Sequence, residues 1–129
     1  VIDAATLTGS ALRAIGTEAS IIMGNAKNHY FEELEKAGNE VHERVVRFPF
    51  WDDYAKHMES KIADLKNIGG PNAGMISAGK FLEHFLKAPY IHMDVAGPTW
   101  LDSREDYKGQ GGTGSGVRLL YQFLKNHSS

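Results

Sequence analysis

The sequence has 129 residues, with 14 Lys and Arg against 16 Asp and Glu and a formal net charge of −2. It has no basic cluster of the kind that favours nucleic acid or an anionic membrane as a partner. The absence of Cys excludes disulfides, thiolate metal sites and cysteine nucleophiles, and no hydrophobic run is long enough to span a bilayer. The length is that of one domain with a single core. We expect the protein to be cytoplasmic.

Two short apolar runs in the first part of the chain, at 1–5 and 19–23, predict strands buried on both faces. The turn-rich stretch 6–10, TLTGS, lies between them at a point where a helix can begin. From Asn28 onward, apolar residues recur at helical spacing with charged residues between them, which predicts a surface helix on an apolar layer. The predicted buried stripe of this helix consists of Tyr30, Leu34, Ala37 and Val41.

The second part of the chain predicts a short helix over 52–60, an irregular loop at 67–72, an amphipathic helix and a strand. The amphipathic helix has an apolar stripe made of Met75, Ala78, Leu82, Phe85 and Leu86. The strand over 90–96, YIHMDVA, alternates apolar and polar residues. A polar loop leads into a last helix, whose predicted buried face carries Val117, Leu120, Tyr121 and Leu124. Helices that flank a few separated strands predict an α/β layered fold.

His92 and Asp94 lie two positions apart on a predicted strand, so both side chains project from the same face. Such a spacing presents two metal ligands or an acid/base pair. In the alternative, which we favour, Asp94 accepts hydrogen bonds from nearby backbone, and His92 is a core or edge residue with its own partner. No third ligand lies close in sequence.

The run 109–114, GQGGTG, satisfies a pattern that is found in dinucleotide-binding proteins. A dinucleotide site also needs a strand immediately before the glycines and an acidic residue about twenty positions after them, and the sequence predicts neither. We therefore interpret the run as a flexible loop that leads into a helix capped by Thr113 or Ser115.

Other polar residues also have structural interpretations. Ser77, in GMISAG, lacks the glycine that precedes the serine of a hydrolase elbow and is predicted to be a helix residue. Asp64 and Asn67 are expected to hold their loop by side-chain to backbone hydrogen bonds. Spacing alone thus indicates no catalytic set.

Five blocks together resemble one family in order and spacing. They are DAATLTGS at 3–10, IADLKNIG at 62–69, GMISAGKFLEHFL at 74–86, YIHMDVAGPTW at 90–100 and GGTGSGVRLL at 111–120. The family is that of the cytosolic leucyl aminopeptidases, which are hexameric two-metal peptidases. The resemblance spans nearly the whole chain and implies a three-layer α/β/α fold with a partial mixed sheet and flanking helices.

In that family the metal-binding Lys, Asp and Glu residues and the catalytic Lys and Arg all precede the block that resembles 3–10. The resemblance therefore implies that residues 1–129 are the C-terminal portion of an aminopeptidase catalytic domain. It implies two divalent ions, Zn or Mn, in the full-length enzyme, but no metal ligand and no catalytic residue in this chain. We expect residues 1–129 on their own to be inactive, because two-metal catalysis needs carboxylate ligands.

The resemblance assigns substrate-binding roles to five residues. Thr6, Ala96 and Thr99 would line the pocket for the first side chain of a peptide. The Leu7 carbonyl would accept from the substrate amine or an adjacent amide, and the Gly9 amide would donate to the next carbonyl. Backbone groups at a glycine turn suit this work because they approach a peptide closely.

The chain departs from the family pattern where 96–99 reads AGPT instead of AGTA. The hydroxyl of Thr99 then argues against a plain preference for Leu. The implied partners are a peptide substrate and further copies of the chain in a homo-oligomer. A non-catalytic binding or oligomerisation module of the same fold is the alternative, and an unpaired sheet edge is expected to favour self-association.

Overall fold

A mixed sheet of four strands is the centre of the computed structural model, which describes residues 1–128. The strands are β1 (Ile2–Ala5), β2 (Ser20–Gly24), β3 (Val45–Arg47) and β4 (Ile91–Asp94). Their order is β1-β4-β2-β3, with β1 parallel to β4, β2 parallel to β3, and β2 antiparallel to β4. Residue 129, part of the domain predicted over 1–129, lies outside the described residues.

Helices cover both faces of this sheet. They are α1 (Gly9–Ile15), α2 (Asn28–Val41), α3 (Gly74–Glu83), α4 (Val117–His127) and a 3₁₀ helix (Asp52–Met58). On one face α2 and α4 pack over Ile22 and Met93, and on the other α1, α3 and the 3₁₀ helix surround Ile21 and Met23. The predicted three-layer α/β/α fold is confirmed.

Alternation along β2 and β4 sets which side chains face which layer. Ile22 and Met93 enter the core with α2 and α4, whereas Ile21 and Met23 face α1 and α3. His92 is in register with Met23, and Asp94 with Ile21, so both polar residues of β4 face α1 and α3. A slip of one residue would exchange these faces, so the apolar residues on both sides fix the register.

The prediction that the strand at 1–5 is buried on both faces is wrong. Ile2 and Ala4 are exposed, and Asp3 and Ala5 are only partly buried. The reason is topological, since β1 lies at the edge of the sheet and pairs within the described residues only with β4. Sequence alone shows that a run is apolar but not where its strand lies in the order of the sheet.

The predicted buried stripe of α3 is only partly correct, since Met75 is buried but Ala78 and Leu82 are only half-buried. The residues that α3 buries are Met75, Ile76, Ser77, Gly79 and Lys80, and Phe85 lies 66% exposed beyond the end of the helix. The small size of Gly79 explains why the buried face of α3 is rotated away from the predicted stripe. A Cβ on Gly79 would stand 3.0 Å from the Phe50 ring and 3.1 Å from the Met23 sulfur, so the helix approaches the sheet through its smallest residue.

In α4 the buried residues are Leu119 and Phe123, whereas Val117, Tyr121 and Leu124 of the predicted face are exposed. Both candidate stripes have helical spacing. The buried stripe is selected by Glu43, which lies just after α2. Its carboxylate accepts hydrogen bonds from the N–H groups of Gly116 and Leu119 (3.0 and 3.1 Å) and so fixes the orientation of the first turn of α4. The expected cap from Thr113 or Ser115 is therefore replaced by a carboxylate distant in sequence.

Three short strands were not predicted. β3 lies in a stretch for which no element was predicted, and β5 (Trp100–Leu101) pairs antiparallel with β6 (Gly111–Gly112). The glycine run 109–114 thus contains a strand of a small hairpin and is not simply a flexible loop. Each of these strands has only two or three residues, which is too short for an alternation pattern to be recognised.

A close backbone contact at Gly97 generates a stability prediction. A Cβ at Gly97 would stand 2.1 Å from the Gly16 carbonyl oxygen, whereas a Cβ at Gly109 would meet nothing within 4 Å. We expect Gly97→Ala to lower the free energy of unfolding by about 1–3 kcal/mol, as overpacking does. Gly109→Ala is the matched control, expected to change it by less than about 0.5 kcal/mol. Urea denaturation measures both, and equal effects would contradict the contact.

Candidate functional site

The turn between β1 and α1 is fixed by the hydroxyl of Thr8. Thr8 is the N-cap of α1, and its Oγ1 accepts hydrogen bonds from the Ala11 N–H and the Ser10 hydroxyl, both at 3.1 Å. Hydroxyl residues are favoured at this position because they satisfy an otherwise unpaired donor of the first turn. The helix predicted to begin in 6–10 is confirmed.

The carboxylate of Asp94 ties this turn to the end of β4. Its Oδ2 accepts from the Thr8 hydroxyl at 2.7 Å, and its Oδ1 accepts from the N–H groups of Leu7 and Ala96 at 3.3 and 3.2 Å. Asp94 is only 1% exposed. Because β1 and β4 are parallel, with Ala5 opposite Asp94, their carboxyl ends meet at one edge, where open α/β sheets place their ligand sites. The favoured interpretation of Asp94 is confirmed.

A cleft of about 320 Å³ lies between this turn and the loop that precedes α3. One wall contains Leu7, Thr8 and Gly9, together with Arg13 from the last turn of α1. The opposite wall runs from Asn67 through the glycines of the loop to Ser77. Backbone groups, neutral side chains and a single arginine therefore line the cleft in the part of the chain that the structure describes.

The five predicted site residues are only partly brought together. Leu7 and Gly9 line the cleft. Thr6 is exposed at the start of the same turn. Ala96 is linked to the turn through Asp94, and the Thr99 carbonyl accepts from the Thr113 N–H at 3.0 Å, beside the small hairpin. None of Thr6, Ala96 and Thr99 is among the residues that line this cleft.

Sequence reasoning missed Arg13 and the wall contributed by 67–77. Asp64 and Asn67 were expected to hold their loop, and this is wrong, since neither makes a side-chain hydrogen bond to backbone within residues 1–128. The hydroxyl of Ser60 instead accepts from the N–H groups of Ile62 and Ala63 (3.3 and 3.1 Å). Ser77 is a helix residue as predicted, and its hydroxyl donates to the Gly74 carbonyl at 3.2 Å. Helical spacing places Arg13 one turn after Gly9, which is the signal that could have found it.

His92 is engaged by Asp3 across the β1–β4 pair. Its Nδ1 lies 2.7 Å from Asp3 Oδ1, the Tyr90 hydroxyl donates to the other carboxylate oxygen, and His92 Nε2 has no partner among the described residues. Burial raises the pKa of Asp3, but the hydrogen bonds from His92 and Tyr90 outweigh it and leave that pKa below its ordinary value. Burial and the neighbouring Asp3 carboxylate raise the pKa of Tyr90 well above its ordinary value.

These arrangements do not fit a bound metal. No group of three or more His, Asp or Glu side chains within residues 1–128 is placed to hold an ion. Both oxygens of Asp94 already accept hydrogen bonds, and His92 is paired with Asp3. The alternative interpretation of His92 and Asp94 as metal ligands therefore has no support from the geometry.

No helix of residues 1–128 is both long and apolar enough to cross a membrane.

The comparison with protein families decides which family this is. The model of the cytosol aminopeptidase family, catalytic domain, matches residues 1–121. The chain belongs to the cytosol aminopeptidase family. The resemblance seen in the five sequence blocks is thereby confirmed.

Individual members of the cytosol aminopeptidase family match over nearly the whole chain. A probable cytosol aminopeptidase of Geobacter sulfurreducens is 46% identical over 126 residues, covering 97% of this chain and 25% of the relative. One from Clostridium perfringens is 45% identical over 123 residues, covering 95% of this chain and 25% of the relative. The chain thus spans about a quarter of the length of the curated relatives it matches.

Solved structures of similar proteins share the fold. The bottromycin maturation enzyme BotP in complex with Mn is 30% identical with a TM-score of 0.92, over 100% of this chain and 29% of that one. A mutant of tomato leucine aminopeptidase is 32% identical with a TM-score of 0.87, over 97% of this chain and 24% of that one.

Replacing Asp94 by Asn tests its role in the turn. An amide has one acceptor oxygen where the carboxylate has two, so its oxygen cannot accept from both the Thr8 hydroxyl and the two N–H groups, and at least one of these hydrogen bonds is lost. We expect Asp94→Asn to lower the free energy of unfolding by about 1–3 kcal/mol and to speed amide exchange at Leu7 and Ala96. The exposed Asp64→Asn makes the same charge change and should do neither. Unchanged exchange at Leu7 in Asp94→Asn would refute the assignment.

The lowered pKa of Asp3 predicts a dependence of stability on pH. A carboxyl group with a lowered folded-state pKa contributes stability that is fully present above its ordinary pKa of about 3.9 and is lost as pH falls through the folded value. We therefore expect the stability difference between the wild type and Asp3→Asn to be constant near neutral pH and to shrink below about pH 4. Urea midpoints across this range measure it. A stability difference between the two proteins that grows towards acid pH would show that folding raises the pKa of Asp3 instead of lowering it.

Proposed function

We propose that the full-length protein containing this chain removes N-terminal residues from peptides, and that this chain contributes one wall of the substrate cleft. The observation that carries the proposal is the turn at 7–9, which lines a cleft at the carboxyl ends of β1 and β4 in a member of the cytosol aminopeptidase family. A fixed backbone turn in a cleft can bind a peptide main chain without regard to its side chains.

The proposed contacts are those that the family resemblance implies for the turn. The Leu7 carbonyl would accept from the substrate amine or an adjacent amide, and the Gly9 amide would donate to the next carbonyl of the peptide. Support comes from Asp94, because it accepts from the Leu7 N–H and the Thr8 hydroxyl, which lie on either side of the peptide group that carries the Leu7 carbonyl. A group held in this way binds without losing conformational freedom.

Thr6, Ala96 and Thr99 are proposed to line the pocket for the first side chain. Thr6 and Ala96 lie on the two segments that Asp94 connects, and Thr99 follows three residues after Ala96. A hydroxyl at Thr99 adds a polar group to this pocket, so we expect first residues other than plain Leu to be accepted as well. The apolar part of such a pocket would also discriminate only weakly between apolar side chains of similar size.

Divalent metal ions would supply the hydrolytic chemistry, since a bound metal polarises a carbonyl and activates water. The Mn in the BotP structure supports a metal in the family. The described residues do not fit one, so we propose that the Zn or Mn ligands belong to other parts of the full-length protein. Residues 1–129 would position the peptide and be inactive on their own.

We also propose that the protein acts in the cytosol and assembles into a homo-oligomer. The family resemblance implies that this homo-oligomer is a hexamer. The name of its relatives supports the first. Exposed apolar side chains of Val117, Tyr121 and Leu124 on α4 support the second.

Release of a chromophore from a leucine anilide tests this function. The full-length protein and residues 1–129 are assayed side by side, with Mn and Zn each titrated. We expect turnover by the full-length protein only, and its loss when the metal is chelated. Turnover by residues 1–129 would overturn the assignment of the metal ligands. Failure of both would favour the alternative, a non-catalytic binding or oligomerisation module.

A further inference from the structure

Arg13 lies on the wall of the cleft beside Gly9. Side chains on an α-helix point back towards its N-terminus, so a residue in the last turn of α1 covers the turn before it. The Arg13 Nη1 is accordingly 3.3 Å from the position that a Cβ on Gly9 would take. The guanidinium therefore lies over the backbone segment that is proposed to bind the peptide.

Arg13 also lacks the partners that the other arginines have. Arg44 pairs with Glu18, Arg118 with Glu43, and Arg47 and Arg104 donate hydrogen bonds to Asn28 Oδ1 and the Asp106 carbonyl. No carboxylate in residues 1–128 pairs with Arg13, which is exposed. A charge on the wall of a cleft, with no carboxylate partner within residues 1–128, is available to a ligand.

The other residues that line the cleft make this charge selective. Along the described part of the wall no Asp or Glu is present, and Arg13 is the only side chain with a full charge. No carboxylate on that wall therefore competes with a ligand for the guanidinium. The planar fork of the guanidinium matches a carboxylate and can donate two parallel hydrogen bonds to it.

We propose that Arg13 binds a carboxylate of the peptide substrate on the residue that follows the one removed. This inference rests on the proposed function, because it takes the Gly9 amide as the donor to the next substrate carbonyl. The carboxylate has two possible sources, the α-carboxylate of a dipeptide or the side chain of Asp or Glu at the second position. The same guanidinium would disfavour peptides with Lys or Arg at that position through like-charge repulsion.

The test compares four peptides on the full-length, metal-loaded protein: Leu-Ala, Leu-Ala-amide, Leu-Asp-amide and Leu-Asn-amide. For Arg13→Gln we expect KM to rise about threefold to tenfold for peptides with the recognised carboxylate, which is the range for a partly exposed charge-assisted contact. The kcat should stay unchanged, because the contact is equal in the ground and transition states. Arg13→Lys should retain part of the preference.

The pattern among the four peptides identifies the source of the carboxylate. A raised KM for Leu-Ala but not for Leu-Asp-amide indicates a dipeptide, and the reverse indicates an acidic second residue. Lys36→Gln is the matched control, since it removes a positive charge from α2 on the opposite face of the sheet. It should change none of the four KM values. Equal KM values for charged and neutral peptides in the wild type, or an equal rise for both in Arg13→Gln, would overturn the proposal.

Calorimetric titration of the same protein with Leu-Ala and Leu-Ala-amide separates this proposal from the proposed function. If none of the peptides is hydrolysed, including the neutral amides, the aminopeptidase function fails. Tighter binding of Leu-Ala that is lost in Arg13→Gln would then still establish the carboxylate site. Equal binding of the two peptides would overturn it.

Discussion

The hydrogen bonds of one buried carboxylate, that of Asp94, hold together the segments on which the cleft depends. The chain leaves the sheet at the carboxyl ends of β1 and β4, and neither turn has a regular backbone ladder to hold it. Asp94 accepts from Leu7 and Thr8 on one side and from Ala96 on the other. An ionised carboxylate can accept all three at once, which no neutral side chain of this size can do. The burial of the charge is offset because every bond to it comes from a fixed donor.

The effect of Asp94 extends beyond its own contacts through Thr8. The Thr8 hydroxyl donates its proton to Asp94 and accepts from Ala11 and Ser10, so the start of α1 is oriented by the end of β4. The helix in turn carries Arg13 back over the cleft. Hydrogen bonds that share an atom strengthen one another in a region of low dielectric constant. The position of the guanidinium thus depends on a carboxylate distant in sequence.

The elements with strong patterns could be predicted from sequence, and those decided by packing could not. The strand around His92 and Asp94 and the helix from Asn28 are at their expected places, because their periodicity is local. The buried face of α4 is not, because two apolar stripes compete and the choice falls to Glu43, 73 residues before the Gly116 N–H that it binds. The exposure of β1 follows from the order of the strands, and no local pattern encodes that order. Within the site, the turn at 6–10 was predictable. Helical spacing also places Arg13 one turn after Gly9, but the cleft that gives this position a role is formed by the distant segment 67–78.

The pattern that most resembles a catalytic site in this sequence serves the structure instead. His92 and Asp94 face the same side of β4, yet Asp3 engages one and the turn donors engage the other. The hydrogen bonds of these two side chains join β1 and the turn after it to β4. The only charged side chain on the described cleft wall is then one guanidinium. A neutral wall with fixed amides and carbonyls binds any peptide main chain alike. Selection by charge can then come only from Arg13 on this wall, because no other side chain there distinguishes an anionic substrate from a neutral one.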